Sequence, residues 1–250
     1  MAENELLAAY KSIPIVTRTL LTATLLVSVL TQLKIVSYYS VLLSWQHILY
    51  KFEIYRLLTP FFVAPMGFNL LFDLYFLYTY GSQLETSTFS ERSADFAWFI
   101  LFTCFVSAGV AHYLGLAFLF QALLAAVTYL WSQSNSDRIV SFMFGIQFKA
   151  VYLPWVLMAY TFVLSGAVVP WAMLVGIGSA HLFYFLDHAY PARGGPRLIP
   201  TPRLLYMVLP TREVAGARFT GSGTTENVYR NARPAAGTTG HQWGRGQRLD

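Results

Sequence analysis

The chain of 250 residues is 56% hydrophobic and 17% aromatic, carries only 12% charged residues, and has a mean hydropathy of +0.49. That balance excludes an ordinary water-soluble domain and predicts a membrane protein. The net charge of +5 is segregated: residues 1–191 hold 8 Lys/Arg and 9 Asp/Glu, whereas residues 192–250 hold 9 Arg and 3 acids. Those arginines are spaced out with little aromatic interleaving, which argues against a nucleic-acid partner and for a tail retained on the cytosolic face of a membrane.

In chain order, residues 1–15 (MAENELLAAYKSIPI) lack an apolar core followed by a small-residue cleavage site. The first span, near residues 16–36, is therefore expected to be an uncleaved anchor. The loop after it is rich in Tyr, Trp and Phe and carries Lys34, Lys51 and Arg56. It is too apolar for a free luminal loop and reads as a segment lying in the interface, with snorkelling cations. A second span is expected near residues 66–84. Residues 96–136 and 150–186 are runs of 41 and 37 residues without a single Asp, Glu, Lys or Arg. A span needs about 20 apolar residues, so each run predicts two helices, with turns near 107–115 and 165–170. The uncharged turns read as luminal, and Asp137, Arg138 and Lys149 as cytosolic.

The expected fold is an all-α membrane protein with six transmembrane helices and both termini in the cytosol. Residues 1–15 form a cytosolic segment, 16–191 the membrane domain and 192–250 a mostly disordered cytosolic tail. Within that tail, residues 203–209 could form a short interfacial helix, and 220–240 are rich in Gly, Thr, Asn and Ala with little to bury. Cys104 is the lone cysteine, so no intrachain disulfide can form. No phosphate loop, zinc-ligand spacing or Cys-x-x-Cys is present, and the sequence predicts neither cofactor nor metal.

Three sets of residues invite functional readings. Asp73, deep in an apolar span, is costly unless paired, protonated or facing water; it either holds helices together or lines a polar cavity, with Gln121 a further polar candidate. Gly176 and Ala180, four residues apart before His181, would permit close helix approach. In the tail, Trp243-Gly244-x-Gly246-x-x-Leu249 can dock as an extended peptide. The ring and the leucine would fill pockets while the glycines let the backbone lie close to a partner.

An ordered set of local patterns resembles the Derlin family over residues 10–209. It comprises Leu84-Glu85-Thr86, Phe89 and Arg92-x-Ala94-Asp95-Phe96; Tyr129-x-Trp131-Ser132 with Asn135; Lys149-Ala150-x-Tyr152-Leu153-Pro154-Trp155-Val156-Leu157-Met158; and His181, Phe185-Leu186, Pro191, Gly194-Gly195 and Thr201-Pro202. The resemblance implies a rhomboid-like fold. The rhomboid Trp-Arg pair falls on Tyr55-Arg56, and the Gly-x-x-x-Gly of span six falls on Gly176-x-x-x-Ala180. The tail motif looks like the SHP box by which some Derlins bind the valosin-containing AAA ATPase.

A rhomboid protease needs a serine within Gly-x-Ser-Gly at the start of span four. Here Leu114-Gly115-Leu116-Ala117-Phe118-Leu119-Phe120-Gln121 offers neither serine nor cysteine, and without an activated nucleophile acyl transfer has no first step. His181 would be a base without a nucleophile, either a packing residue or a contact for a passing polar substrate. The family resemblance implies a non-enzymatic pseudoprotease of the endoplasmic reticulum membrane that helps return misfolded proteins to the cytosol. Its implied partners are that ATPase, a ubiquitin ligase complex of the same membrane, misfolded substrates and membrane lipids, and a homo-oligomer is compatible with it. A membrane adaptor that only anchors the ATPase, and an intramembrane protease, are the alternatives.

Overall fold

Seven helices of at least seven residues, and one of six, account for most of the described chain, and their ends fall where the sequence changes character. The computed structural model describes residues 5, 8, 10–65, 67–89, 92–142, 145–192, 194, 196 and 198–209, all within one unit of the chain, residues 1–212. Helix α1 (Ile15–Gln32) starts directly after Pro14, whose fixed φ and missing N–H suit a helix entry. Its apolar run ends where Lys34 turns into the left-handed region, φ +58°. The first loop is not extended. It holds a single turn at Tyr38–Val41, the helix α2 (Trp45–Lys51) and 3-10 turns at Ile54–Leu57 and Thr59–Phe61.

Helix α3 (Phe68–Gln83) widens into a π turn at Leu84–Thr88, and α4 (Ser93–Leu114) follows. The turn expected near residues 107–115 is displaced. Residues 107–114 contain no proline, and Ser107, Ala108 and Ala111 are buried, so the helix continues until Gly115 adopts φ +67° and closes it. The helix expected to begin at Leu114 accordingly begins at Phe120. The intervening residues are stitched to the first loop, with Leu119 N–H donating to Pro60 O and Leu43 N–H to Ala117 O, both at 3.0 Å.

Helix α5 (Phe120–Ser134) is the axis of the bundle: residues 122–132 are buried without interruption. It packs most extensively on α7 (Trp171–Tyr184), and also on α3 and α6 (Leu153–Leu164). Tyr80 of α3 meets Trp131 of α5 at 4.6 Å between ring centres, and Phe99 of α4 meets Phe183 of α7 at 5.0 Å. The α6–α7 turn falls at 165–170, as the sequence predicts.

One finding departs from the expected all-α architecture, and a second bears on the six-span count without deciding it. First, residues between α5 and α6 form an antiparallel hairpin, β1 (Ile139–Phe142) and β2 (Ile146–Lys149), with Val140 opposite Phe148. Branched residues at 139, 140 and 146 favour extended backbone, and Gly145 supplies a positive φ in the connection. Second, among the described residues only α1 and α4 are long and apolar enough to cross a membrane on those criteria alone. The apolar runs at the other positions form helices of 16, 15, 12 and 14 residues for α3, α5, α6 and α7. Two of these are prolonged by π turns, Leu84–Thr88 after α3 and Phe185–Ala189 after α7. The short helix expected at the exit is present as α8 (Arg203–Val208).

Candidate functional site

The tightest feature of the bundle is the α5–α7 crossing. A Cβ added to Gly176 would lie 2.1 Å from the carbonyl oxygen of Ala122 and 2.7 Å from its carbonyl carbon and Cα. Only glycine permits that approach. Ala180, one turn on, is fully buried, so a small residue closes the same seam. Between them Ser179 donates to Gly176 O at 2.9 Å and accepts from Ser107 Oγ of α4 at 3.0 Å. Ser107, the hydroxyl nearest to a nucleophile position in the sequence, is thus tied to Ser179, a partner that the sequence did not single out.

His181 ends this run. Its Nδ1 lies 2.6 Å from the hydroxyl of Tyr129 on α5, and the two rings meet edge to face at 5.9 Å. The imidazole that a rhomboid protease would place beside a serine is here bonded to a phenol. The first residues of α5, Phe120-Gln121-Ala122, bring no hydroxyl or thiol to this crossing, and Ser107 is engaged with Ser179. The arrangement is suited to holding helices in register and supplies no activated nucleophile.

Asp73 and Gln121 lie on α3 and α5, two packed helices, in the halves away from the Tyr80–Trp131 contact. Both are half-buried. Among the described residues neither side chain makes a hydrogen bond or ion pair, so each retains polar capacity.

Next to the start of α5, where Leu119 N–H donates to Pro60 O, the first loop is organised by Arg56. Its guanidinium is buried, donates from Nη1 to Tyr39 O at 2.6 Å, pairs through Nε with Glu53, and lies 5.7 Å from the centre of the Tyr55 ring. The hydrogen bond from Arg56 is the main cause that holds the Glu53 carboxyl below the usual carboxylate range. Tyr55 itself is half exposed and its hydroxyl leans towards Glu53 at 3.4 Å. The rhomboid-type pair is thus a brace between two parts of the loop.

A second buried hub was not singled out from the sequence. Glu85, 1% exposed in the π turn after α3, accepts from Val16 N–H (3.0 Å) and Ser93 Oγ (2.6 Å) on one oxygen. Its other oxygen accepts from Thr17 N–H (2.8 Å) and Thr17 Oγ1 (2.9 Å). It therefore caps the start of α1 from another segment, placing negative charge where the helix leaves N–H groups unpaired. Nearby, Gln83 accepts from Trp131 Nε1 at 3.0 Å and from Arg138 at 3.2 Å. Asp95 in the first turn of α4 ties down the exit segment, accepting from Thr201 at 2.7 Å and from Tyr206 on α8. Burial and that carboxylate push the Tyr206 phenol up to about 12. Trp243, Gly244, Gly246 and Leu249 lie outside the described residues.

Most of these anchor positions fall within the stretch, residues 13–203, that matches the model of the Der1-like family. The chain is 38% identical over 248 residues to Derlin-1 of Homo sapiens, covering 96% of each chain. It is also 36% identical over 243 residues to Derlin-1 of Caenorhabditis elegans, covering 95% of each. The chain belongs to the Derlin family. A plant relative, Derlin-2 of Oryza sativa subsp. japonica, is 32% identical over 226 residues, 86% of this chain and 90% of that one. For a Derlin, then, the observed centre is a glycine-lined helix crossing flanked by a Tyr–His bond, a carboxylate hub at Glu85 and an arginine brace at Arg56.

Proposed function

We propose that this Derlin is a catalytically inactive, six-span rhomboid-like protein of the endoplasmic reticulum membrane. In this reading it helps return misfolded proteins to the cytosol for degradation and recruits the valosin-containing AAA ATPase through its tail. Residues 16–191 form its membrane domain, residues 1–15 and 192–250 face the cytosol, and a ubiquitin ligase complex of the same membrane works with it. The spans are α1, α3, α4, α5, α6 and α7.

The observation that carries the proposal is the length of the central helix. Fifteen residues of α5 rise about 22 Å, against a hydrocarbon core of about 30 Å. A bundle built around so short a helix favours local thinning of the bilayer. Thinning lowers the cost of carrying polar chain across hydrocarbon, where each unsatisfied backbone group costs several kcal/mol. Asp73 and Gln121, both half-buried, supply polar side chains in one half of two packed helices. The bonding of His181 to Tyr129 favours a non-catalytic role.

The test is site-specific photocrosslinking in cells, with a photoreactive amino acid replacing Asp73 or Gln121. Adducts with a misfolded luminal protein are the expected result. Capture of the ATPase alone through the tail, with no substrate adduct at either position, would favour a membrane adaptor. Labelling of the intact chain by a fluorophosphonate would favour a protease.

A further inference from the structure

An apolar groove of about 290 Å³, open along one side, lies between the far half of α1 and the first loop, lined by Val27, Leu30, Val36, Val41, Tyr55 and Thr59. We propose that it holds one acyl chain of a membrane lipid, an inference that rests on α1 crossing the bilayer.

The lining offers almost nothing to water. Ser40, also on the wall, donates to Ser37 O at 2.6 Å, and Thr59 donates to Val41 O at 3.2 Å. The Tyr55 hydroxyl points to Glu53. The hydroxyls on the wall are therefore engaged within the loop, and a water inside would lack the two to four polar partners it needs. Emptiness is also costly, because lining atoms without neighbours lose their dispersion contacts.

The surroundings identify the hydrocarbon. Leu25 and Leu26 on α1, and Leu33 and Ile35 just beyond it, are each about half to two-thirds exposed, forming an apolar surface continuous in sequence with Val27, Leu30 and Val36. In a spanning α1 that surface is lipid-facing. Lys34 and Lys51, with exposed Tyr39, Tyr50 and Phe52, mark the level where headgroups begin. A chain entering from that level would place its head among these groups and its methylenes along Val27 and Leu30.

The experiment uses the full chain in nanodiscs containing phosphatidylcholine with a diazirine in one acyl chain. After irradiation, adducts are mapped by peptide mass spectrometry. Adducts on residues 36–59 that are lost in Leu30→Trp and Val36→Trp, while adducts at Leu25 and Leu26 persist, are expected. Both substitutions fill the groove from half-buried positions. Adducts on 36–59 that are unchanged in both variants, or absent there while Leu25 and Leu26 are labelled, would overturn the proposal. Should a variant fail to fold, the wild-type chain still decides. Yield on 36–59 that saturates with probe fraction supports a site, and a rise proportional to that at Leu25 and Leu26 overturns it. No labelling at Leu25 and Leu26 would overturn the membrane reading of α1 itself, and this inference with it.

Discussion

Glu85 and Thr17 are 68 residues apart, yet one carboxylate oxygen of Glu85 accepts both the backbone N–H and the hydroxyl of Thr17. The start of α1 is thus capped by the π turn that follows α3. Because lipid provides no hydrophobic drive between helices, such polar joints and close contacts must set the register of the bundle.

Glu85→Ala is therefore expected to destabilise the fold by at least ~2 kcal/mol, since it leaves buried donors on Val16, Thr17 and Ser93 without an acceptor. Glu85→Gln keeps one acceptor oxygen but turns an NH₂ towards donors, and should fall between the two. Thermal unfolding in nanodiscs measures the order wild type, Gln, Ala. Equal midpoints for Ala and wild type would show that the hub is solvated.

Two glycines on one helix give a matched pair. Gly176→Ala forces a methyl against the backbone of Ala122, which cannot rotate aside, and overpacking of this kind costs ~1–3 kcal/mol. Gly178, two residues away, has nothing within 4 Å of an added Cβ. Gly178→Ala should be neutral or stabilising by up to ~1 kcal/mol through better helix propensity. Similar losses for both would mean that helix flexibility, not the crossing, sets the cost.

The Arg56 brace carries a pH signature. Glu53 has a depressed carboxyl pKa in the fold, so its contribution is present above the ordinary carboxylate pKa and is lost as pH falls through the lower folded value. Hydrogen exchange in residues 39–58 should rise on acidification below pH ~4.5 in the wild type. In Arg56→Ala it should already be raised at neutral pH and change little on acidification. Arg56→Lys, lacking the planar fork, should resemble Ala more than wild type. An unchanged exchange profile in Arg56→Ala would reduce the residue to an ordinary snorkelling cation.

These three sites differ in how far sequence alone exposes them. Gly176 and Ala180 are legible because close helix approach demands small residues four apart, whereas Tyr55-Arg56 is placed by the rhomboid resemblance alone, since composition reads Arg56 as one more snorkelling cation. The helices themselves are legible from long uncharged runs, except at 107–119, which carries no charge and where the decisive signal, Gly115, competes with Ser107, Ala108 and Gly109. Glu85 and Asp95 are not. Their partners, Thr17 and Tyr206, are brought to them by the fold from 68 and 111 residues away, and no local spacing encodes such a meeting. The 139–149 hairpin is short enough that its alternation reads as a loop.

Asp95 also predicts behaviour of the exit segment. Asp95→Ala removes the acceptor shared by Thr201 and Tyr206, and tryptic cleavage after Arg203 should accelerate. Tyr206 titrates near 12, above the ordinary 10. Its raised value means that the contribution of the neutral phenol is full below pH 10 and is lost as pH rises through 12. In Asp95→Ala the phenol resonance of Tyr206, followed by NMR, should titrate closer to 10. Cleavage and titration both unchanged would show that α8 is held by apolar contacts alone.

The tail motif gives the last prediction. Trp243-Gly244-x-Gly246-x-x-Leu249 lies outside the described residues, so its case rests on chemistry and on the family. A large ring and a leucine are the anchors of an extended peptide, and the glycines allow close backbone approach. On the sequence expectation of a disordered tail, about 30 linking residues would span roughly 30 Å, enough to reach a soluble partner while the membrane body stays in place. Anchor truncation typically costs at least ~2 kcal/mol, or about 30-fold in Kd. Trp243→Ala and Leu249→Ala tail peptides should each lose at least that much affinity for the amino-terminal domain of the valosin-containing ATPase in a calorimetric titration. Gln247→Ala, at a position without an anchor, should be nearly silent. Undiminished binding of the Trp243→Ala peptide would refute the motif, and equal losses at Trp243 and Gln247 would point to charge or composition in place of anchored docking.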